Sequence, residues 1–299
     1  MFIGNQEIFE YFNQAALQKT LNQAYGFVGV AQLGKRTLAE TIAATLLGQE
    51  RAKLNLHPDF YSIERLADEK TGKIKKDITV GQAREIKAKL QNRSWLSGYQ
   101  VVIIDEAECF NEESANSLLK LLEEPGQKNV FFLLSEDESK IIPTVHSRCQ
   151  WWHFNTVPKV EIEKVLRDRD VEGGLAHEVA ELSWGRPGRA ITLAENPEKL
   201  LQTREEVSRY KKLRTAPIYE RFKIIENLAG EKKSAAQGKD ELDDILQIWT
   251  TVEAENIMSG QLAARARSVQ VIDRLARLRG YLRQNIHPRL ALEEFCLSF

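Results

Sequence analysis

Three short apolar runs punctuate the first half of the chain: Tyr25–Gly29 (YGFVG), Val101–Asp105 (VVIID) and Val130–Leu134 (VFFLL). Each is five residues long, apolar without alternation and bounded by polar or turn residues. That pattern predicts strands buried on both faces rather than strands with one wet side. Between them the spacing changes from strand-like to helical. In Asp77–Asn92 (DITVGQAREIKAKLQN), Ile78, Ala83, Ile86 and Leu90 fall at roughly helical intervals. In Asn111–Pro125 (NEESANSLLKLLEEP), Leu118, Leu119, Leu121 and Leu122 give a broad apolar face, Asn111 is placed to cap the N-terminus and Pro125 to stop the helix. Strands that alternate with helices predict a parallel α/β sheet covered on both faces.

After Phe154 the strand pattern ends. The stretches 160–170, 174–184 and 188–196 read as three short helices separated by Gly and Pro, and from Pro197 the chain stays helical and charged, with Gly230–Asp240 as its best loop. This divides the chain into an α/β domain over 1–155, a small helical domain over 156–200 and a second helical domain over 201–299.

Composition changes this picture little. A formal net charge of −1 points to neither nucleic acid nor membrane as a global partner. The sequence shows neither a leader-like N-terminus nor a run of eighteen apolar residues, which predicts a cytoplasmic protein. Cys109, Cys149 and Cys296 are too few and too scattered for a disulfide framework or a metal quartet.

The candidate chemistry lies at the ends of the predicted strands. Gly29–Thr37 (GVAQLGKRT) has the spacing G-x-x-x-x-G-K, follows a strand and opens a helix. In that context Gly29 and Gly34 shape a turn whose N–H groups face phosphate, and Lys35 reaches the β- and γ-phosphates. The second apolar strand ends in Asp105 and Glu106, types suited to holding magnesium through water and to orienting an attacking water. Together the two motifs predict a P-loop NTPase fold. One part is wrong for catalysis: the residue after the loop lysine, normally a Ser or Thr that ligates Mg²⁺, is Arg36. Thr37 is one residue on, rotated by about 100° along a helix. A guanidinium there opposes a dication, so nucleotide binding is expected to be weak or without hydrolysis, with Mg²⁺ in doubt.

The order IIDEAE, NEESANSLLKLLEEP, a third strand and IIPTVHSRCQ (Ile141–Gln150) resembles the clamp-loader branch of the AAA+ proteins, and most closely its delta-prime type of subunit in bacterial DNA polymerase III. IGNQEI near the start and Asn285–Phe295 (NIHPRLALEEF) extend the resemblance thinly over the whole chain. It implies an AAA+ domain, a helical lid and a collar through which subunits join. It implies gamma/tau-like and delta-like subunits, a sliding clamp and primed DNA as partners, and no membrane. It also gives Arg148, in SRC, the role of an arginine finger reaching into a neighbour's nucleotide site; from the residues alone Arg148 could equally cap a nearby carboxylate.

Departures from the pattern matter as much. The four zinc-binding cysteines of many relatives are missing from Gly48–Glu64, so no zinc is expected, and His57 reads as a turn residue. In Gly185–Ala190 (GRPGRA), Gly188 falls where motor subunits carry a phosphate-sensing arginine, with Arg189 one position later. Ser135 follows the third strand as a polar contact. Three readings stand: an interaction subunit supplying Arg148 to a neighbour, a gamma/tau-like motor running on Lys35, Asp105 and Glu106, and, ranked last, a related AAA+ protein outside replication. The arginine-rich stretch Leu262–Arg289 could bind nucleic acid, but reads better as a helix packed by its apolar face and paired with acids from Asp240–Asn256.

Overall fold

The computed structural model describes residues 2–68, 74–90, 98–123, 128–230, 237–259, 262–284 and 286–297. The stopping role assigned to Pro125, most of the loop expected at Gly230–Asp240 and Asn285 lie outside them. In chain order the elements are α1 (Gln6–Gln18), β1 (Ala24–Val28), α2 (Lys35–Leu47), β2 (Phe60–Ile63), α3 (Val80–Leu90), β3 (Gln100–Ile104), α4 (Glu112–Glu123), β4 (Asn129–Ser135), α5 (Pro143–His146) and β5 (Gln150–His153). Helices α6 (Lys159–Arg167), α7 (Gly173–Ser183), α8 (Pro187–Glu195), α9 (Pro197–Thr215), α10 (Ile218–Gly230), α11 (Gln237–Ser259), α12 (Leu262–Arg283) and α13 (Pro288–Leu297) follow. The chain forms two compact units, Met1–Asp170 with Gly185–Ile191, and Val171–Trp184 with Thr192–Phe299.

In the first unit the five strands form one parallel sheet in the order β2-β3-β4-β1-β5. The three apolar runs are its centre, and their alternate residues sort cleanly between two cores. Tyr25, Phe27, Val101, Ile103, Val130, Phe132 and Leu134 pack on one side with residues of α1 and α2. Ala24, Val102, Ile104, Phe131 and Leu133 pack on the other with residues of α3 and α4. Local capping follows the sequence. Thr79 and Gln82 satisfy each other's backbone N–H groups at the start of α3. Asn111 Oδ1 accepts the Ser114 N–H at the start of α4. Ile78 is not part of α3; fully buried, it forms a parallel bridge with Phe110 before that helix begins.

Gly26 in β1 pairs in register with Trp151 in β5. A Cβ at Gly26 would stand 2.1–2.5 Å from three atoms of that indole. Gly26→Ala is therefore expected to cost about 1–3 kcal/mol, the usual range for overpacking a filled core. Urea unfolding checks this; a change within error of zero would show that the indole moves aside freely.

The second unit is helical. Trp249, fully buried, stacks on Tyr210 and Phe295. The arginine-rich α12 buries Val271, Leu275, Leu278 and Leu282, while Val269 is 55% exposed, so the apolar stripe is narrower than the spacing suggested. Its Arg279 forms a two-pronged pair with Asp243 of α11, both contacts at 2.7 Å. Arg277 pairs with Asp273 within α12 at 2.8 Å. The reading of a packed helix paired with acids from Asp240–Asn256 therefore holds at Arg279, while Arg277 pairs within its own helix. Among the described residues no helix is long and apolar enough to cross a membrane.

Candidate functional site: a phosphate loop with its acids capped by arginines

Parallel strands all point their carboxyl ends to one edge, and the loops leaving that edge converge. The loop after β1, the acids after β3 and the residues after β4 meet there around a cavity of about 360 Å³. Gly34, Lys35, Arg36, Thr37, Asp105 and Glu106 all line it. Gly29 stands behind Lys35: at φ +150° it takes a conformation that side-chain-bearing residues rarely adopt, and a Cβ would come 2.6 Å from the Phe154 carbonyl oxygen. Arg148 is not among the cavity-lining residues.

Lys35 is only 8% exposed. Its ammonium donates back to the carbonyl of Gly29 and, at 3.0 Å, to that of Val30. Burial lowers its pKa, and Glu136, Asp105 and Glu108 act in the opposite sense, while Arg186 adds to the lowering. Arg186 itself is lowered by burial, opposed by Glu136. A buried lysine and a half-buried arginine thus both feel the field of Glu136.

Arg36 does more than replace a hydroxyl. Its guanidinium holds Asp105 Oδ2 at 3.1 Å, Glu64 Oε2 at 3.1 Å and Glu40 Oε1 at 3.1 Å. Burial works against its charge, but its hydrogen bonds to Glu64 and Glu40 and the field of Asp105 outweigh it, so its pKa is raised. Asp105 Oδ1 accepts the Glu106 N–H at 3.0 Å. Both oxygens of the would-be metal acid are therefore engaged.

Glu106 is engaged too. Arg65 grips it with two parallel donors, Nε to Oε2 at 2.6 Å and NH2 to Oε1. Such forked pairs are among the strong charge-assisted contacts. The hydrogen bond to Glu106 is the main reason that the Arg65 pKa is raised. Arg65 escaped the sequence reading because β2, which ends at Ile63, was not recognised as a strand. Since β2 is the neighbour of β3, residues just after β2 stand beside residues just after β3.

A third contact reaches the loop from the start of α8. The Gly188 N–H donates to the Gln32 carbonyl at 2.9 Å. A Cβ at Gly188 would lie 3.0 Å from that oxygen and 3.1 Å from Gln32 Cβ. Ser135 faces the cavity, but its hydroxyl bonds both the N–H and the carbonyl of Asp137 at 3.1 and 3.2 Å. His57 is buried and accepts the Asp59 N–H at Nδ1, the role of a turn residue.

These residues do not fit a magnesium ion: the hydroxyl ligand is absent, and a fixed cation occupies the carboxylate that would face the metal. Replacing both arginines, as Arg36→Thr with Arg65→Ala, frees two acids and supplies a hydroxyl. Nucleotide affinity of the double variant is expected to become at least about tenfold tighter with Mg²⁺ than without, a difference of about 1.4 kcal/mol. The unsubstituted chain is expected to show no such difference. Calorimetric titration with and without chelator decides it; equal affinities in the double variant would show that the arginines are not what excludes the metal.

Residues 4–158 match the family described as DNA polymerase III, delta subunit. Over 140 residues the chain is 36% identical to the DNA polymerase III subunit delta′ of Pseudomonas aeruginosa, covering 42% of this chain and 41% of that protein. It is 27% identical over 173 residues to the gamma/tau subunit of Mycobacterium tuberculosis, covering 55% of this chain and 30% of that one. These matches span well under two thirds of the relatives' own lengths. Among solved structures, a DNA polymerase III gamma subunit-related protein from Thermotoga maritima shares the fold, with a TM-score of 0.54 at 17% identity over 96% of this chain and 97% of that one. The sheet, the loop and the helical C-terminal region are those of an AAA+ P-loop protein, and since the matched family covers more than half of the 299 residues, the chain belongs to the DNA polymerase III delta-subunit family and is delta-prime-like.

Proposed function

We propose that the chain is a clamp-loader subunit of a DNA polymerase III assembly that supplies Arg148 to the nucleotide site of a neighbouring subunit and does not turn over nucleotide itself. The observation that carries this reading is the contrast between two sets of arginines. Arg36 and Arg65 neutralise the chain's own Asp105 and Glu106. Arg148, by contrast, is exposed just after α5, outside the cavity. Among its contacts, it donates to the Thr144 carbonyl at 2.7 Å and to Ser147 Oγ at 3.2 Å.

In this reading the partners are gamma/tau-like motor subunits, a delta-like subunit, the sliding clamp and primed DNA, and the work is cytoplasmic. ATP at the chain's own loop is bound weakly, without magnesium and without hydrolysis. The motor reading needs a free acid at Glu106 and a metal ligand after Lys35, and neither is present. The test is ATP turnover by the assembly reconstituted with Arg148→Ala. Unchanged turnover would refute the supplied finger, and magnesium-dependent turnover by the isolated chain would restore the motor reading.

A further inference from the structure

The turn that carries Arg148 is fastened at both ends to one side chain. His146 closes α5, and His153 closes β5. Nε2 of His146 donates to Glu138 Oε1 at 2.6 Å, and Nε2 of His153 donates to Glu138 Oε2 at 2.6 Å. The segment from 146 to 153 is thereby a loop with both ends resting on one carboxylate, and Arg148 sits within it. An ionised carboxylate can accept at both oxygens at once. The His146 hydrogen bond, followed by that from His153, holds the Glu138 carboxyl below its ordinary pKa, in its acceptor form.

The base of this clamp is itself fixed. Glu138 opens a short 3₁₀ turn, Glu138–Lys140, whose first N–H groups are capped by Asp137: Oδ1 accepts the Ser139 N–H at 3.1 Å. Lys140 pairs with Asp137 at 3.0 Å. Asp137 in turn is held by Ser135 at the end of β4. On the other side the His146 ring stacks on Trp151, with centroids 5.0 Å apart and planes within 11°. Trp151 Nε1 donates to the His146 carbonyl at 2.9 Å. A rigid strand end, one carboxylate and two imidazoles therefore define where the backbone of Arg148 stands.

We propose that Glu138 is the positioning residue for Arg148: with His146 on one oxygen and His153 on the other, it fixes the turn from which the guanidinium reaches a neighbouring site. This rests on the supplied-finger reading above. A group that acts in trans has to arrive in place within a fraction of an ångström, and a displacement of about 1 Å at a reacting centre costs up to about 100-fold in rate. A clamp made of hydrogen bonds on a rigid strand end meets that requirement without any contact between Glu138 and the reacting atoms.

The experiment places Glu138→Ala, Glu138→Gln, Arg148→Ala and the double variant Glu138→Ala/Arg148→Ala into the reconstituted assembly, and follows amide exchange in the free chain. Glu138→Ala is expected to lower kcat by up to about 100-fold with KM for ATP unchanged. Glu138→Gln is expected to fall between it and the unsubstituted chain, and the double variant is expected to be no slower than Arg148→Ala alone. In the free chain, exchange of the amides from Ser147 to Cys149 is expected to speed up at an unchanged melting midpoint. Should Glu138→Ala fold poorly, His153→Ala removes one of the two contacts at a side chain that is 62% exposed. A normal kcat for the Glu138 variants beside a slow Arg148→Ala overturns this inference alone, as do effects that multiply in the double variant. An Arg148→Ala assembly with normal turnover overturns the finger reading and this inference with it.

Discussion

Arg148→Ala is expected to slow ATP hydrolysis at the neighbouring site it serves by about 10³–10⁵, the range for removing an arginine finger. In barrier terms that is roughly 4–7 kcal/mol. The loss belongs in kcat: a finger meets charge that develops as the phosphoryl group transfers, so it contributes little to ground-state binding. Arg148→Lys is expected to recover little of it. The ammonium is a point charge on a flexible stem, whereas the guanidinium presents a planar fork that matches phosphate oxygens. Single-turnover hydrolysis by the assembled complex, at ATP well above KM, is the clean readout, because it separates chemistry from product release. A lysine variant that equals the arginine would mean that Arg148 acts only through its charge at a distance. An alanine variant whose loss lies wholly in KM would place Arg148 in binding rather than in the chemical step.

Arg214→Met is expected to destabilise the helical unit by about 3–5 kcal/mol, the typical cost of leaving a buried charge without its partner. Glu253 in α11 is fully buried. It accepts the Tyr210 hydroxyl at 2.6 Å and pairs with Arg214 Nε at 3.3 Å. Burial and the neighbouring Glu253 both raise the Tyr210 pKa, so the phenol stays a proton donor to the carboxylate. With Arg214 gone, a carboxylate would sit in the core next to Trp249 with one hydroxyl as support. The double variant Arg214→Met/Glu253→Leu is expected to recover most of the loss, because an apolar replacement of a whole buried pair is often neutral. Denaturant midpoints at constant slope measure both. A double variant less stable than the single one would mean that the pair holds the helices in place by more than charge compensation.

The sheet was legible because its three central strands are buried on both faces and therefore carry no polar interruption. β2 was not: four residues long, buried only at Phe60 and Ile63, it offers neither a continuous apolar run nor a full alternation. That single omission hid Arg65, since only the strand order places the residue after β2 beside the acid after β3. Arg36 was legible as a defect, because a fixed motif position held the wrong residue. What it does instead, a three-way grip on Asp105, Glu64 and Glu40, needed the folded chain, as Glu64 and Asp105 are distant in sequence. Gly188 likewise read as a missing arginine. The structure adds that its backbone occupies the loop. The clamp on the Arg148 turn was invisible for a similar reason: Glu138, His146 and His153 follow no motif spacing, and only the parallel placement of β4 and β5 on either side of β1 brings them together.

The contact between Gly188 and Gln32 bears on how such a subunit can change over time. Restoring an arginine at 188 would press its Cβ against Gln32, at 3.0 Å from the carbonyl oxygen and 3.1 Å from Cβ, so the phosphate loop would have to give way there as well. Restoring a hydroxyl at 36 leaves Glu106 gripped by Arg65, and releasing Glu106 leaves Arg36 on Asp105. Each step alone removes a stabilising contact and returns no activity. On the proposed reading, in which the chain does not turn over nucleotide, three separate changes would have to accumulate before selection could reward any of them, so that such a loss would work as a ratchet.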